Sequence, residues 1–431
     1  MEKITAIRGF KDIFPEDARR FLEVESIARQ VFNCFGFQEI RTPIMEKTEL
    51  FKRSIGETTD IVEKEMYTFA DRDSEFLTLR PEATASVIRA YIERNMSAAE
   101  QITKLFTIGP MFRRERPQKG RFRQFNQIDV ELFGEDKPQS DAEIIFMLMH
   151  FLTSAGLKDL QLEINSLGCA SCRPVFSQAV INFLKGSEKN LCPDCQRRIN
   201  TNPLRVFDCK VETCASTIAK APSILNFLCA DCESHFAQVQ SFLKDLRISF
   251  AINPRMVRGL DYYTKTAFEV KTNALGAQNA VAGGGRYNSL VSDLGGPEVP
   301  GIGFAVGFER LIACLPEDGK NKFKTDLFIA ALGSRAQKLA FGLTNEFRRF
   351  GIPTEMDYAD KSLKSQLKRA DKLNSSFALI MGDKEIDEKQ AILRNMKTKD
   401  QQTIPMDGLF GSIKNIFKAL TNNKTAGNPP G

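Results

Sequence analysis

Six cations, Arg113, Arg114, Arg116, Lys119, Arg121 and Arg123, fall within eleven consecutive positions of this chain. Guanidinium groups converging at that density suit a polyanion, above all a triphosphate, because their planar N–H forks pair bidentately with phosphate oxygens. A solvated basic face or a nucleic-acid patch is the other common use of a charge run. The next residues argue for something more selective. Gln127, Asp129 and Glu131 alternate with Ile128 and Val130, the period of a half-buried strand. Residues an even number apart share a face, so Gln127 and Glu131 are expected beside Arg121 and Arg123. A surface made only for phosphate would not carry a carboxylate there.

A second chemistry resides in the cysteines. Eight of the ten fall between residues 168 and 245. Cys169-Ala-Ser-Cys172, Cys192-Pro-Asp-Cys195 and Cys229-Ala-Asp-Cys232 repeat a CxxC spacing, and Cys209 with Cys214 makes a looser fourth pair. In a reducing compartment repeated CxxC reads as thiolate ligation of a metal, and one or two zinc sites of four thiolates fit the count. His235 is an alternative ligand. Small buried or free thiols in a helical lobe are the competing reading. The only other histidine, His150, sits among Ile144, Ile145, Leu148 and Phe151 at helical spacing and is expected in a core or half-buried structural role. So few histidines make triad hydrolysis a poor fit.

These groups need elements to hold them. Residues 109–131 read as two antiparallel strands joined by a basic loop, with Pro117 and Gly120 marking the turn. Apolar spacing predicts helices over 16–35, 83–95 and 141–157, and short strands over 38–42 and 76–79. Residues 168–245 read as an inserted module of short helices and loops. Glycine-rich strands follow at 258–269, 280–287 and 301–311, an antiparallel sheet whose backbone must approach something closely. A polar linker, 321–325, precedes alternating strands (326–332, 353–358, 377–382) and helices (334–350, 362–373, 409–420), the pattern of a separate α/β domain. In the 362–373 helix Leu363, Leu367 and Ala370 share one face, while Lys361, Lys364, Lys368, Arg369 and Lys372 project elsewhere. The fold class is α+β: a core over 1–167 and 246–320, a Cys-rich helical insertion over 168–245, a C-terminal α/β domain over 326–420, and a disordered tail over 421–431.

The chain has 431 residues, enough for two or three domains, with 42% hydrophobic and 26% charged residues, as in ordinary globular proteins. A net charge of +6 is compatible with a nucleic-acid partner without establishing one. The N-terminus shows no apolar signal region, and no apolar run is long enough to span a bilayer, so no membrane association is expected and the protein is read as cytoplasmic.

Several segments together resemble class II aminoacyl-tRNA synthetases, and within them the histidyl-tRNA synthetase family, over about residues 1–420. The helix and strand ending at Pro43 look like motif 1, a dimerisation element. Phe112 to Gln127 looks like motif 2, and Gly301-Ile-Gly-Phe-Ala-Val-Gly-Phe-Glu-Arg-Leu311 like motif 3. Arg258-Gly-Leu-Asp-Tyr-Tyr263 and Gly283-Gly-Gly-Arg-Tyr-Asn288 are similar to blocks of the histidine enzymes, as are Leu79 to Thr84 and Gly56 to Tyr67. Asn126 stands where relatives often have histidine, and Ala83 where many have glycine. Neither removes a charged contact.

The resemblance implies a class II catalytic core and a C-terminal anticodon-binding domain, with ATP and Mg²⁺, L-histidine and histidine tRNA as reactants and a homodimer as the assembly. It implies a two-step reaction through histidyl-adenylate, releasing pyrophosphate and then AMP. Arg113 and Arg258 would be catalytic at the α-phosphate, Arg258 doing work that other class II enzymes give to magnesium. An Arg258–Asp261 pair in a turn is the structural alternative. Arg121 and Arg123 would face the outer phosphates or the tRNA acceptor end, and Arg310 would stack on adenine. Histidine would be held by Glu82, Ala83, Thr84 and Gln127 around its α-amino group, with Arg113, Arg258 and Tyr262 nearby, and read by Glu131 and Tyr263 at its ring. The insertion would lean over the acceptor arm. A non-catalytic regulatory subunit of histidine biosynthesis is the alternative, disfavoured because such paralogues usually lack the C-terminal domain and erode the Arg258 segment.

Overall fold

The computed structural model describes residues 3–57, 59–72, 74–117, 120–275, 279–316 and 324–425. Lys119, most of the 321–325 linker and the end of the expected tail therefore lie outside the described residues. The chain forms two compact units, residues 1–317 and 318–431.

The first unit is built on an eight-stranded sheet in the order Gln38–Glu39, Thr103–Phe112, Gln124–Phe133, Gly301–Gly307, Ala280–Arg286, Thr264–Thr272, Leu160–Ser166, Ala251–Ile252. The six central strands are antiparallel, and each edge strand is added in parallel. Alternation explains the two faces. Phe106, Ile128, Val130, Phe304 and Val306 point to one side and bury against helices Pro15–Cys34, Pro138–Ser154 and Ala230–Asp245. Phe32 anchors that layer with ring contacts to Phe106, Phe151 and Phe304 at 5.3, 5.3 and 6.0 Å. Each such ring contributes roughly 1.5–3 kcal/mol through burial. The opposite face carries Gln127, Asp129 and Glu131 and is roofed by helix Thr84–Glu93 and by Tyr262, Tyr263 and Tyr287.

Three differences from expectation have local causes. Helix Ala230–Asp245, assigned to the insertion, buries Phe236, Val239 and Leu243 in the main core, so only the preceding segment keeps a small apolar core of its own. His150 is exposed rather than core, on the outer side of helix Pro138–Ser154 with Phe146 stacked beside it. Strands Met45–Lys47 and Tyr67–Ala70 flank Phe76–Leu79 in a small sheet whose exposed positions carry mixed residues without clean alternation.

The second unit is a five-stranded sheet: Thr354–Met356, Leu327–Leu332 and Phe377–Gly382 run parallel, then Gln390–Asn395 and Gln401–Pro405 add antiparallel. These last two strands were not foreseen, because polar edge residues mask the inward Ala391, Leu393 and Ile404. Leu363, Leu367 and Ala370 pack together as expected. Helix Leu409–Thr425 continues through the first five residues assigned to the tail, anchored by Ile413 and Phe417.

Candidate active site

On the sheet face that carries Gln127, Asp129 and Glu131 lies a cavity of about 250 Å³. The hairpin strands, the start of helix Thr84–Glu93, the Arg258–Tyr263 segment and the two glycine-rich strands all contribute to it. Glu82, Thr84, Arg113, Gln127, Glu131, Arg258, Tyr262, Tyr263, Arg121 and Arg310 line it together, from segments up to 228 residues apart in sequence (82 to 310). Ala83 does not line it: it is fully buried beneath the helix it begins.

Arg123 is also absent from this cavity. Its Nη1 donates to the Arg8 carbonyl at 3.4 Å and its aliphatic stem lies against Gly9. Regular pairing of the hairpin strands begins only at Gln124, and the Arg123 N–H turns to the Gly9 carbonyl instead. Parity cannot be carried through a loop. Arg121 remains on the cavity side, its Nη1 donating to Glu115 at 2.7 Å.

The cavity has two chemically distinct ends. One is cationic. Arg113 is fixed by an Nε–H bond to the Pro81 carbonyl at 2.8 Å and lies 5.3 Å over the Phe125 ring. Arg310 follows the last glycine of strand Gly301–Gly307; burial and then the nearby Arg121 lower its pKa. Asn126 donates to Glu309 from both backbone and side chain, near 2.9 Å, so strand Gln124–Phe133 and the start of helix Phe308–Cys314 are tied together.

The other end is acidic and buried. Glu82 accepts from the backbone N–H groups of Thr84 and Ala85 at 2.8 and 3.0 Å, satisfying the open start of the helix. Thr84 donates its hydroxyl to Glu131 at 2.6 Å, and the Tyr287 hydroxyl donates to the other Glu131 oxygen. Burial raises the Glu131 pKa to about 8, against the pull of those two hydroxyls. Burial, with Glu131 and Glu82 nearby, pushes Asp129 well above the usual carboxylate range. Burial likewise raises Glu82 despite its hydrogen bonds. Among the described residues Gln127 Oε1 and Asp129 Oδ2 are buried without a hydrogen-bond partner. Desolvated carboxyls and an orphaned amide oxygen together make a site awaiting a small cation that donates several hydrogen bonds.

Arg258 bridges the two ends. Its partner is Glu269, at 3.1 Å, not Asp261, and its guanidinium lies 5.6 Å over Tyr263. Asp261 instead accepts from Asn202 at 3.1 Å. Glycines make the close approaches. A Cβ on Gly283 would lie 2.6 Å from the Arg258 guanidinium nitrogens, and one on Gly303 would lie 2.1 Å from Glu131 Oε2. Sequence reasoning singled out those glycine runs but missed Tyr287 and Glu269 as lining residues; the aromatic directly after the glycine strand was the available signal.

The cysteines gather as two tetrads, Cys169, Cys172, Cys229 and Cys232, and Cys192, Cys195, Cys209 and Cys214, the four sulfurs of each within 4.8 Å of one another. His235 belongs to neither. It bonds Asp141 at 2.8 Å, and Asp141 is also paired with the fully buried Arg286. No helix among the described residues is long and apolar enough to cross a membrane.

The sequence matches the Histidyl-tRNA synthetase family over residues 9–176 and 204–311, and an anticodon binding domain over residues 326–416. The Histidine–tRNA ligase of Desulfosudis oleivorans is 56% identical over 409 residues, 94% of this chain and 97% of that one. The solved apo histidyl-tRNA synthetase of S. aureus superposes with a TM-score of 0.81 at 38% identity, covering 95% of this chain and 99% of that one. A structure described as an ATP phosphoribosyltransferase regulatory subunit/histidyl-tRNA synthetase from Bacillus halodurans C gives 0.65 at 19% identity, covering 89% of this chain and 100% of that one, a likeness of fold alone.

Proposed function

The chain belongs to the histidyl-tRNA synthetase family and is a class II ligase that joins L-histidine to its tRNA at the expense of ATP through histidyl-adenylate; we propose the following division of labour within its site. The acidic end takes the amino acid. Glu82, Gln127 and Thr84 hold the α-ammonium group, with Tyr262 beside them, and Glu131 with Tyr263 reads the imidazole. The single observation that carries this is the cluster of desolvated carboxyls beside an unpartnered Gln127 oxygen, which a donor-rich cation would complete. A buried site built to accept N–H donors rejects analogues lacking them by roughly ten-thousand-fold.

The cationic end takes ATP. Arg113 and Arg258 stabilise charge on the α-phosphate from two sides, Arg121 serves the outer phosphates and Arg310 the adenine. Activation is then a matter of placing fixed cations where charge develops. Glu115 and Glu269 are each paired with an arginine, at 2.7 and 3.1 Å, and Glu309 accepts from Asn126. Mg²⁺ would arrive on the nucleotide phosphates. The cysteine module holds zinc. The assembly is a homodimer through the motif 1 region, a reading supported by the exposed apolar Ile44 and Met45 just beyond it. The compartment is the cytoplasm. The regulatory-subunit alternative is disfavoured by the matched C-terminal domain and by the retained Arg258 segment.

The test is ATP–pyrophosphate exchange with each amino acid in turn. Exchange with histidine alone, followed by charging of histidine tRNA, is expected. Exchange with another amino acid, or none, would overturn the assignment of the acidic end.

A further inference from the structure

The two cysteine tetrads lie beside the segment that carries Arg258 and Tyr263. In the first, Cys169 Sγ is 3.6 Å from Cys172 and 3.9 Å from Cys229, and the Cys229 N–H donates to the Cys172 sulfur at 3.2 Å. In the second, Cys192 Sγ is 3.8 Å from Cys209, and the Cys192 N–H donates to the Cys214 sulfur at 3.1 Å. A tetrahedral zinc with bonds of about 2.3 Å sets its sulfurs roughly 3.8 Å apart, whereas a disulfide brings them to about 2.0 Å. The observed spacing is that of a metal cage. Backbone N–H groups turned toward sulfur are the outer-shell bonds such thiolates require. Two of the four cysteines in each tetrad are buried. The lobe around them has only a small apolar core, which includes Cys195 and Cys214. A lobe of that size gains much of its stability from staples.

What the lobe grips gives the tetrads a role. Arg173, the residue after Cys172, donates from Nη1 to the Asp261 carbonyl at 3.3 Å and from Nη2 to the Tyr263 carbonyl. Arg205, in the 3₁₀ turn Pro203–Asp208 that runs into Cys209, donates to the Arg258 carbonyl at 3.0 Å and to Asp208 at 2.9 Å. Behind this segment lies a separate cavity of about 210 Å³, lined by Phe176, Phe207 and Met256 among others. The segment's cavity face is packed through Tyr262 and Tyr263, and on the side of the hollow the lobe ties it at its carbonyls and, through Asn202, at the Asp261 carboxylate.

We propose that each tetrad binds one zinc ion, and that the two ions, through Arg173 and Arg205, position the Arg258–Tyr263 segment for histidine activation. This rests on the zinc reading of the cysteine module. Arg173 and Arg205 are positioning residues on this account: neither touches a substrate, and each acts through a backbone carbonyl of the segment.

Elemental analysis of the full chain is expected to find two zinc ions, with Cys172→Ser and Cys195→Ser each losing one and retaining the other. Arg173→Gln and Arg205→Gln should keep both ions while lowering kcat for histidine-dependent pyrophosphate exchange tenfold or more. KM for ATP should stay within about twofold, and Arg205→Lys should recover part of the loss. Should the arginine variants keep both ions and wild-type exchange, the positioning role is overturned while the zinc reading stands. Should zinc be absent, or iron present instead, from protein that exchanges fully, the zinc reading itself is overturned.

Discussion

Replacing Glu131 by glutamine tests the acidic end with a signature that depends on pH. Glu131 is 2% exposed and accepts two hydroxyl bonds. Its pKa stands at about 8 against an ordinary 4.5, with burial as the chief cause. A raised carboxyl pKa means that the folded chain binds more protons than the unfolded one between those values. Stability of the free protein therefore falls as pH rises through that window. From pH 4.5 to 7 this amounts to on the order of 3 kcal/mol. Glutamine mimics the protonated acid, so Glu131→Gln should leave the thermal midpoint unchanged near pH 5 and raise it at pH 8. Binding moves the other way. A charge-assisted hydrogen bond to imidazole contributes about 1.5–3 kcal/mol, but at pH 7 the free site must first ionise, which costs about 1.4 kcal/mol. The ratio of histidine KM, variant over wild type, should thus climb from a few-fold at pH 7 to roughly 30–100-fold at pH 9, while the KM for ATP stays nearly constant. Pyrophosphate exchange across that range measures both. A ratio flat with pH, or equal effects on both substrates, would refute the argument.

Other expectations follow from the same geometry. Arg258→Ala should leave ATP binding nearly intact and lower adenylate formation by roughly a hundred-fold or more, about 3 kcal/mol in the transition state; wild-type exchange in that variant would sink its catalytic role. Histidine binding at pH 7 should release up to about one proton as Glu131 ionises, seen as a calorimetric enthalpy that changes with the buffer's ionisation heat. Gly303→Ala, whose Cβ would lie 2.1 Å from Glu131 Oε2 and 2.2 Å from the Val130 carbonyl, should lower both stability and histidine affinity; unchanged affinity would show that Glu131 does not need its place. Asp141→Asn, at a pair with Arg286 in which both side chains are fully buried, should destabilise the first unit by about 3–5 kcal/mol, measured by denaturant unfolding, with little change in KM if the fold is retained.

Legibility in the sequence tracked the range of the physical signal. Ile128 and Val130 announced a strand because period-two alternation is local, and the same parity placed Gln127 and Glu131 together. It misplaced Arg123, where a loop intervenes. Motif resemblance supplied Arg258, since nothing in Arg-Gly-Leu-Asp specifies a partner; the observed partner, Glu269, is eleven residues away on strand Thr264–Thr272. The CxxC spacing revealed ligand chemistry without the pairing, because which pairs meet depends on how the intervening helices return. His235 illustrates the same limit: a histidine near cysteines in sequence pairs with Asp141, 94 residues distant.

The proposed roles join specificity and catalysis through one short segment. Arg258 faces the cationic end and Tyr263 the acidic end, and the guanidinium lies over that same ring. On the proposed division of labour, a displacement of the segment would disturb the α-phosphate contact and the imidazole pocket at once. Gly283 removes the Cβ that would hold Arg258 off its strand, Glu269 takes the side-chain charge, and Arg205 and Arg173 hold the main chain. Only Gly283 carries a strong local signal in the sequence, through its glycine run, yet each group fixes a different degree of freedom of the same few residues. Preorganisation of this kind matters because a fixed cation contributes most where it need not reorganise as charge develops. If Arg258 does the work proposed for it, that arginine must be held from several sides.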